Sequence, residues 1–234
     1  MTPTLVVFDK LDTSAEEVAA VKAQGARVVC FEDLGPGARI ADLTINELYD
    51  SGTLKGPRYA VLRPEFCGLP PYRVREKADR VLVTFGGSDP SGLAPRIAPL
   101  FVDYYHVRVV LGPQSPDSPH LDRVDCVRPA SMAEQYRWSD LVICSAGRTV
   151  HEAAACGVPV VSIAANERES RHSHCPGVLR LGLHSALGDE AIFETVTRLL
   201  GDFEQRAEMS ATARAAIDGL GTQRIAHHLT SLLE

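Results

Sequence analysis

The stretch Leu141-Val-Ile-Cys-Ser-Ala-Gly-Arg-Thr-Val-His-Glu152 decides how the chain folds. Its apolar beginning is typical of a buried strand, its small residues are typical of a turn, and its end reads as the start of a helix. A helix that begins directly after a strand points its free backbone N–H groups and the positive end of its dipole at the turn. A phosphate is the natural occupant of such a turn.

The candidate anion-binding residues of this turn are small, hydroxylated or charged: Ser145, Ala146, Gly147, Arg148 and Thr149. Gly147 lets the backbone approach a ligand closely, and Arg148 can add a charge-assisted contact. Glu152, one turn into the helix, is close enough to accept hydrogen bonds from a ribose diol. An ordinary strand-to-helix turn with a capping threonine and a surface glutamate is an equally open interpretation of these residues alone.

Two further loops follow predicted strands and would lie at the same carboxyl edge of the sheet. The first, Gly86-Gly-Ser-Asp-Pro-Ser-Gly92, has neither the ending of a Walker A motif nor a full GxGxxG pattern. Its Gly86, Gly87 and Ser88 suit close approach of a ligand, or merely a tight turn. The second, Asn166-Glu-Arg-Glu-Ser-Arg-His172, is polar, and we expect it to face a ligand cleft rather than to be a solvated loop.

Short apolar strands alternate with amphipathic helices, which predicts parallel βαβ units and an α/β fold. The predicted strands are Leu5–Phe8, Arg27–Phe31, Leu43–Asn46, Tyr59–Leu62, Val81–Phe85, His106–Leu111, Val124–Val127, Asp140–Cys144 and Pro159–Ile163. The Pro- and Gly-rich segment 67–80 breaks the rhythm and is predicted to link a first domain, 1–66, to a second, 81–234. The chain looks helical from about Ala191 onward, and we expect the last helices to pack back on the first domain.

Composition narrows the class of protein. The 234 residues are 45% hydrophobic and 23% charged, which is ordinary for a globular protein. A net charge of -6 with scattered Lys and Arg argues against nucleic-acid binding. We expect no membrane span, no signal peptide and a cytoplasmic location, since the apolar runs are short. The six cysteines form no CxxC pair, so we expect no zinc and no disulfide.

The motifs together resemble one superfamily. The Gly-Gly-Ser-Asp-Pro loop, the run Ser131–Glu152, Gly157-Val-Pro and Asn166-Glu-Arg-Glu-x-x-His172 are similar to the UDP-sugar hydrolases of pseudaminic acid synthesis and the spore-coat polysaccharide glycosyltransferase-like proteins. The GlcNAc transferase that makes lipid II is a more distant resemblance. The segment Leu62-Arg-Pro-Glu-Phe66 resembles the domain junction of this family.

The resemblance implies a GT-B-like fold of two Rossmann-like parallel-sheet domains and a nucleoside-diphosphate sugar, most often a UDP-sugar, as ligand. The turn Ser145–Thr149 would hold the pyrophosphate and Glu152 the ribose hydroxyls. The stretch from Val127 to Met132 would lie against the uracil, and Asn166, with its neighbour Glu167, would face the sugar or the reacting water.

The chain also departs from the family pattern. Family members begin with a strand and a Gly-x-Gly-His-x-x-Arg loop whose histidine is the proposed general base, and the sequence contains no such segment. Asp9-Lys10-Leu11 stands where an Asp-His-Tyr run is common. We therefore expect a truncated first domain, completed by a second copy of the chain or by a partner subunit.

The expected reaction is cleavage of the anomeric C–O bond by a hydrolase or glycosyltransferase, with release of nucleoside diphosphate. No obligatory metal or other cofactor is expected, because the helix N-terminus and Arg148 would stabilise the leaving group. His172 and Asp9 are the remaining candidates for the general base. The alternative is a non-catalytic nucleotide-binding subunit. A Rossmann oxidoreductase would need a GxGxxG opening, which the sequence lacks.

Overall fold

The computed structural model describes residues 4–116 and 118–234, so the first three residues of the predicted first domain lie outside the described part. The chain folds into two compact units, each with its own parallel sheet. Unit 1 comprises Met1–Leu62 and Ile217–Glu234, and unit 2 comprises Arg63–Ala216.

The regular elements of both units run in chain order with short 3-10 turns between them. Those of unit 1 are β1 (Leu5–Asp9), α1 (Ala15–Lys22), β2 (Arg27–Phe31), β3 (Leu43–Asn46), β4 (Leu54–Lys55) and, at the far end of the chain, α8 (Gly221–Leu233). Those of unit 2 are β5 (Arg80–Thr84), α2 (Leu93–Ile97), β6 (His106–Val110), β7 (Asp125–Val127), α3 (Met132–Trp138), β8 (Leu141–Ser145), α4 (Arg148–Cys156), β9 (Val160–Ala164), α5 (Glu167–Ser170), β10 (Val178–Leu183), α6 (Asp189–Gly201) and α7 (Phe203–Ala216).

The sheet of unit 1 has the strand order β1-β2-β3-β4, and all its pairs are parallel. Its core joins Val29 of β2 and Ile45 of β3 to Ile225 of α8. Ser14 caps the N-terminus of helix α1, and its hydroxyl accepts the Glu17 N–H at 3.1 Å. The Glu17 carboxylate accepts the Ser14 N–H at 2.9 Å in return, which completes a capping box.

One strand prediction for unit 1 is wrong, and another holds except for the burial of the strand. The predicted strand Tyr59–Leu62 is a 3-10 turn, Pro57–Tyr59, followed by irregular chain. Pro57 lacks an N–H to donate to a sheet, and the Val61 N–H instead donates to the Glu47 carboxylate at 2.7 Å. The apolar run Leu5–Phe8 reads as a buried strand, and the strand exists, but it is the outermost strand of its sheet and Val7 is 48% exposed.

The sheet of unit 2 has the order β10-β9-β8-β5-β6-β7, and every pair is parallel. All five residues of β8 and all five of β9 are buried, as expected for strands covered on both faces. A parallel sheet brings the carboxyl ends of its strands to one edge, and the loops that follow β5, β6, β7 and β8 therefore lie there together.

The predicted linker 67–80 is instead part of unit 2, and the boundary falls at Arg63. Several backbone carbonyls of this irregular segment, residues 63–80, have no partners within a sheet or helix. Arginine side chains donate hydrogen bonds to them instead. Arg206 is fully buried and donates to the Arg75 and Glu76 carbonyls at 2.8 and 2.9 Å, and Arg214 donates to the Leu69 carbonyl at 2.6 Å. These contacts explain why a Pro- and Gly-rich stretch is held firmly.

The helical end of the chain divides between the two units. Helices α6 and α7 belong to unit 2, whereas α8 belongs to unit 1. The sequence did not predict β4, β10 or α5. None of the helices in residues 4–116 and 118–234 is both long and apolar enough to cross a membrane.

Asp140 gives a test of how the irregular segment is anchored. Its fully buried carboxylate accepts Arg75 Nε at 2.6 Å and the N–H groups of Asp79 and Arg80 at 2.9 and 3.0 Å. We expect Asp140→Ala to lower the free energy of unfolding by about 2–3 kcal/mol, since three donors lose a charged acceptor. Urea unfolding would measure the change.

The matched control is Asp125→Ala. Asp125 also accepts from an arginine, Arg108, at 2.6 Å, but its side chain is 53% exposed. An exposed ion pair of this kind contributes less than about 1 kcal/mol. Equal losses in the two variants would contradict the anchoring role of Asp140.

Candidate functional site

A cavity of about 580 Å³ opens at the carboxyl edge of the unit 2 sheet. Its wall consists of strand ends, the loops that follow them and the first turns of two helices: Arg63, Thr84, Gly86, Gly87, Val110, Leu111, Gly112, Pro113, Arg128, Pro129, Met132, Tyr136, Thr149 and Glu152. This is where open α/β sheets bind ligands, and the volume lies in the range of small-molecule sites.

One wall of the cavity is a pair of glycine loops in close contact. Gly86 has a φ of 76°, which a residue with a side chain rarely adopts. A Cβ on Gly112 would overlap the Gly86 and Gly87 carbonyl oxygens, so only glycine fits there. The Gln114 N–H also donates to the Gly87 carbonyl at 2.9 Å. Gly86 and Gly87 thus lie in the wall as predicted candidates, whereas Ser88 is not among the lining residues described.

The predicted anion turn lies between β8 and α4. Helix α4 begins at Arg148 after Gly147, and among the five candidates of the turn only Thr149 is in the described cavity wall. The Ala146 N–H is occupied by the Glu169 carboxylate at 3.1 Å. The first turn of α4 is therefore the part of this turn that borders the cavity, while the protein's own Glu169 carboxylate already occupies the Ala146 N–H.

Glu152 faces the cavity one turn into α4 and has a donor on each oxygen. Arg63 Nη2 lies 3.5 Å from Oε1, and the Tyr136 hydroxyl donates to Oε2 at 3.2 Å. Burial raises the pKa of Glu152, and the contacts with Arg63 and Tyr136 oppose that rise. Each oxygen of the carboxylate therefore has one side chain donor and the capacity to accept a further hydrogen bond.

Glu65 fixes the helix that carries the opposite wall. Its carboxylate accepts the Ser131 hydroxyl at 2.9 Å and the Ala133 N–H at 3.1 Å, at the N-terminus of α3. Burial raises the pKa of Glu65, but the hydrogen bonds from Ala133 and Ser131 and the charge of Arg63 outweigh it, and the pKa lies below its usual value. This contact sets the position of Met132, a predicted candidate that lines the cavity.

The polar segment 166–172 contacts the turn at Ala146, and none of its residues is among those described as lining the cavity. His172 is 5% exposed and its Nδ1 lies 2.8 Å from the Ala146 carbonyl, to which it donates. Burial lowers the pKa of His172, so the ring is neutral at pH 7. Its observed contacts position the turn, and a part as general base remains a prediction.

The remaining candidates lie outside the cavity wall. Asn166 caps α5 by accepting the Glu169 N–H at 3.0 Å, and Glu167 is exposed on the first turn of that helix. Val127 ends β7, one residue before the lining residue Arg128. Asp9 belongs to unit 1, where it is exposed at the carboxyl end of β1.

Sequence reasoning missed the residues that support the site from elsewhere in the chain. Arg63 and Glu65 lie in the segment assigned to a domain junction, Tyr136 reads as an ordinary core residue, and Glu169 belongs to a cluster expected to face the ligand. Only the fold brings these residues to Glu152 and Ala146. Within the described residues, no group of three or more His, Cys, Asp or Glu side chains could hold a metal ion.

Comparisons with known proteins agree with this geometry. No family model matches the chain. Across 98% of the chain and 77% of the relative, it is 25% identical to the spore coat polysaccharide biosynthesis protein SpsG of Bacillus subtilis. Over 82 residues, 31% of the chain and 22% of the relative, it is 34% identical to the UDP-N-acetylglucosamine–N-acetylmuramyl-(pentapeptide) pyrophosphoryl-undecaprenol N-acetylglucosamine transferase of Geobacter metallireducens.

Among solved structures, MurG of Acinetobacter baumannii superposes on 97% of the chain and 73% of its own length with a TM-score of 0.65 at 16% identity. The fold is that of GT-B glycosyltransferases. The predicted fold class of two parallel-sheet α/β domains is thereby confirmed.

Gly112 tests the geometry of the cavity wall. We expect Gly112→Ala to lower the free energy of unfolding by about 1–3 kcal/mol, because its methyl group would push the Gly86 and Gly87 backbone away. The change in the midpoint of thermal or urea unfolding checks this expectation. Gly87→Ala is the control, since a Cβ there meets nothing within 4 Å, and it should leave the midpoint nearly unchanged.

Proposed function

We propose that the chain binds a nucleoside-diphosphate sugar, a UDP-sugar above all, in the unit 2 cavity and takes part in cleaving its anomeric C–O bond. The observation that carries this proposal is the meeting, in one cavity of about 580 Å³, of the first turn of α4, the Glu152 carboxylate and the two glycine loops. The names of the relatives support it, since the Geobacter protein transfers N-acetylglucosamine from its UDP derivative.

Each part of the ligand has a matching part of the cavity. The diphosphate would lie at the N-terminus of α4, where Thr149 supplies a hydroxyl donor and the helix dipole favours negative charge. The ribose diol would donate to Glu152. The base would lie against the wall formed by residues 127–132, and Gly86 and Gly87 leave room for the phosphates or the sugar.

The chemistry follows from the charge that develops on the leaving group. When the anomeric C–O bond breaks, the electron pair goes to the diphosphate, and the N-terminus of α4 with Arg148 stabilises it. Water or a hydroxyl of an acceptor forms the new bond to the anomeric carbon and loses a proton to a base. Asp9 and His172 are our candidates for that base, and Asn166 and Glu167 for contacts with the sugar.

A single substitution tests the ribose assignment. We expect Glu152→Ala to weaken UDP binding by about 1.5–3 kcal/mol, the range for a hydrogen bond to a charged group. The fold should persist, because Glu152 faces a cavity and its loss leaves no hole in the core. Isothermal titration calorimetry measures the affinity. Glu167→Ala is the matched control, as Glu167 is exposed and outside the cavity wall. An unchanged UDP affinity in folded Glu152→Ala protein would refute the assignment.

Turnover is tested with a panel of UDP- and CMP-sugars, by measuring released nucleotide with and without excess EDTA. We expect release from a UDP-sugar that persists in EDTA, because the helix N-terminus and Arg148 balance the charge of the diphosphate. A strict requirement for Mg²⁺ or Mn²⁺ would contradict metal-independent cleavage. Tight UDP binding without release of nucleotide, alone or with added acceptors, would favour a nucleotide-binding subunit that depends on a partner chain.

A further inference from the structure

Arg63, Glu152 and Tyr136 form a chain of contacts across the cavity wall. The guanidinium of Arg63 approaches Glu152 Oε1 at 3.5 Å, and the Tyr136 hydroxyl donates to Oε2 at 3.2 Å. Each carboxylate oxygen can accept about two hydrogen bonds. Each oxygen of Glu152, a residue that lines the cavity, thus has one side chain donor identified and the capacity to accept a further hydrogen bond.

Arg63 is itself held in place by two contacts. Its Nη1 lies 2.8 Å from Glu65 Oε1, and its guanidinium lies 5.0 Å from the centre of the Phe66 ring. Glu65 is bound in turn to the start of α3 through Ser131 and Ala133. Although the Arg63 side chain is 54% exposed, it thus contacts Glu152 of α4 directly and is linked to the start of α3 through Glu65.

We propose that Arg63 is a positioning residue that, together with Tyr136, aims both oxygens of Glu152 at the vicinal diol of the proposed ligand's ribose. The inference rests on the proposed nucleotide-sugar function and adds a requirement to it. Two adjacent hydroxyls donate to the two oxygens of one carboxylate, whereas a 2′-deoxyribose offers a single donor and leaves one oxygen of a half-buried carboxylate unsatisfied.

The charged and titratable groups around Glu152 also favour a role of Arg63 in the state of this carboxylate. The groups that face it are Arg63 and Glu65 from the segment before β5, Tyr136 from α3, Cys144 from β8 and Cys156 from α4 itself. Burial raises the pKa of Glu152 most, Arg63 and Tyr136 lower it, and Glu65 raises it. Arg63 is the cation of this group, and its charge favours the ionised form of Glu152, which accepts hydrogen bonds and does not donate them.

The test compares binding of UDP and 2′-deoxy-UDP to the full chain by calorimetry. We expect the wild-type chain to bind UDP roughly 10-fold or more tightly than the deoxy form, the ratio for one hydrogen bond to a charged group. In Arg63→Met this ratio should fall by roughly 5-fold or more, mainly through weaker UDP binding, and Arg63→Lys should restore part of it. Tyr136→Phe, which removes the donor to Oε2 and keeps the ring, should lower the ratio in the same way.

Arg123→Met is the matched control. Arg123 is another arginine of unit 2, its side chain is 70% exposed in an ion pair with Asp103, and it does not line the cavity among the residues described. It should leave both affinities unchanged. Thermal unfolding of each variant separates a change in binding from a change in folding.

The pH profile supplies a second readout that a merely structural role would not move. Binding needs ionised Glu152, so UDP affinity should fall as the pH drops through the pKa of that carboxyl. Because Arg63 lowers this pKa, Arg63→Met should shift the fall in affinity to higher pH, and Arg63→Lys should shift it back.

The outcomes separate the inference from the proposed function. If UDP and 2′-deoxy-UDP bind equally tightly to the wild-type chain, the diol requirement is refuted and nucleotide binding stands. If Arg63→Met weakens both nucleotides equally, Arg63 contacts another part of the ligand and its positioning role is refuted. If neither nucleotide binds, the proposed function and this inference both fail.

Discussion

The backbone of Ala146 is held on both sides by one short polar segment. Glu169 accepts its N–H at 3.1 Å, and His172 donates to its carbonyl at 2.8 Å. A strand-to-helix turn at the edge of a buried sheet has polar backbone groups that no ladder satisfies, and leaving them unpaired would be costly. By making hydrogen bonds to these backbone groups, the two side chains fix where α4 begins. The positions of Thr149 and Glu152 follow from that starting point.

Much of the fold followed from the sequence, because buried parallel strands leave a simple pattern of apolar runs. Arg27–Phe31 and Leu43–Asn46 were predicted with the bounds that the structure shows. The strand β4 has only two residues and therefore no pattern. β10 includes Gly182, with a φ of 111° and a break in register, which weakens its strand signal.

The candidate site could be predicted in part only. The loops at Gly86 and Thr149 could be predicted because their small residues directly follow apolar strands, so that the signal lies within a short stretch of sequence. Arg63 could not be found in this way, since Arg63 and Glu152 are far apart in the sequence of unit 2. Their contact depends on the path of the irregular segment 63–80. The proline and glycine residues of that irregular segment suggested a linker. The arginines that donate to its backbone carbonyls lie more than a hundred residues later in the sequence.

Carboxylates at strand ends serve two different purposes in this chain. In unit 1, Glu32 after β2 accepts the Glu47 N–H at 2.5 Å, and Asp33 accepts the Thr13 and Gly35 N–H groups at 3.1 and 2.8 Å. In unit 2, Glu169 of α5 accepts the N–H groups of Ala146 and Ala165, which follow the ends of β8 and β9. Such acids replace missing backbone partners and are buried or half-buried as a result.

Glu152 and Asp9 differ from these acids in their surroundings. Glu152 faces a cavity and is held by side chains and not by backbone amides, and Asp9 is exposed at the end of β1. In the sequence, an acid after an apolar run looks the same whether it satisfies backbone N–H groups or faces a cavity. The pattern alone therefore suggests a chemical role for both kinds of acid. The distinguishing property is the donor that each carboxylate meets. A carboxylate that accepts from a backbone N–H satisfies a donor of the fold. A carboxylate that accepts from a side chain can be oriented by it while its other lone pairs face a ligand.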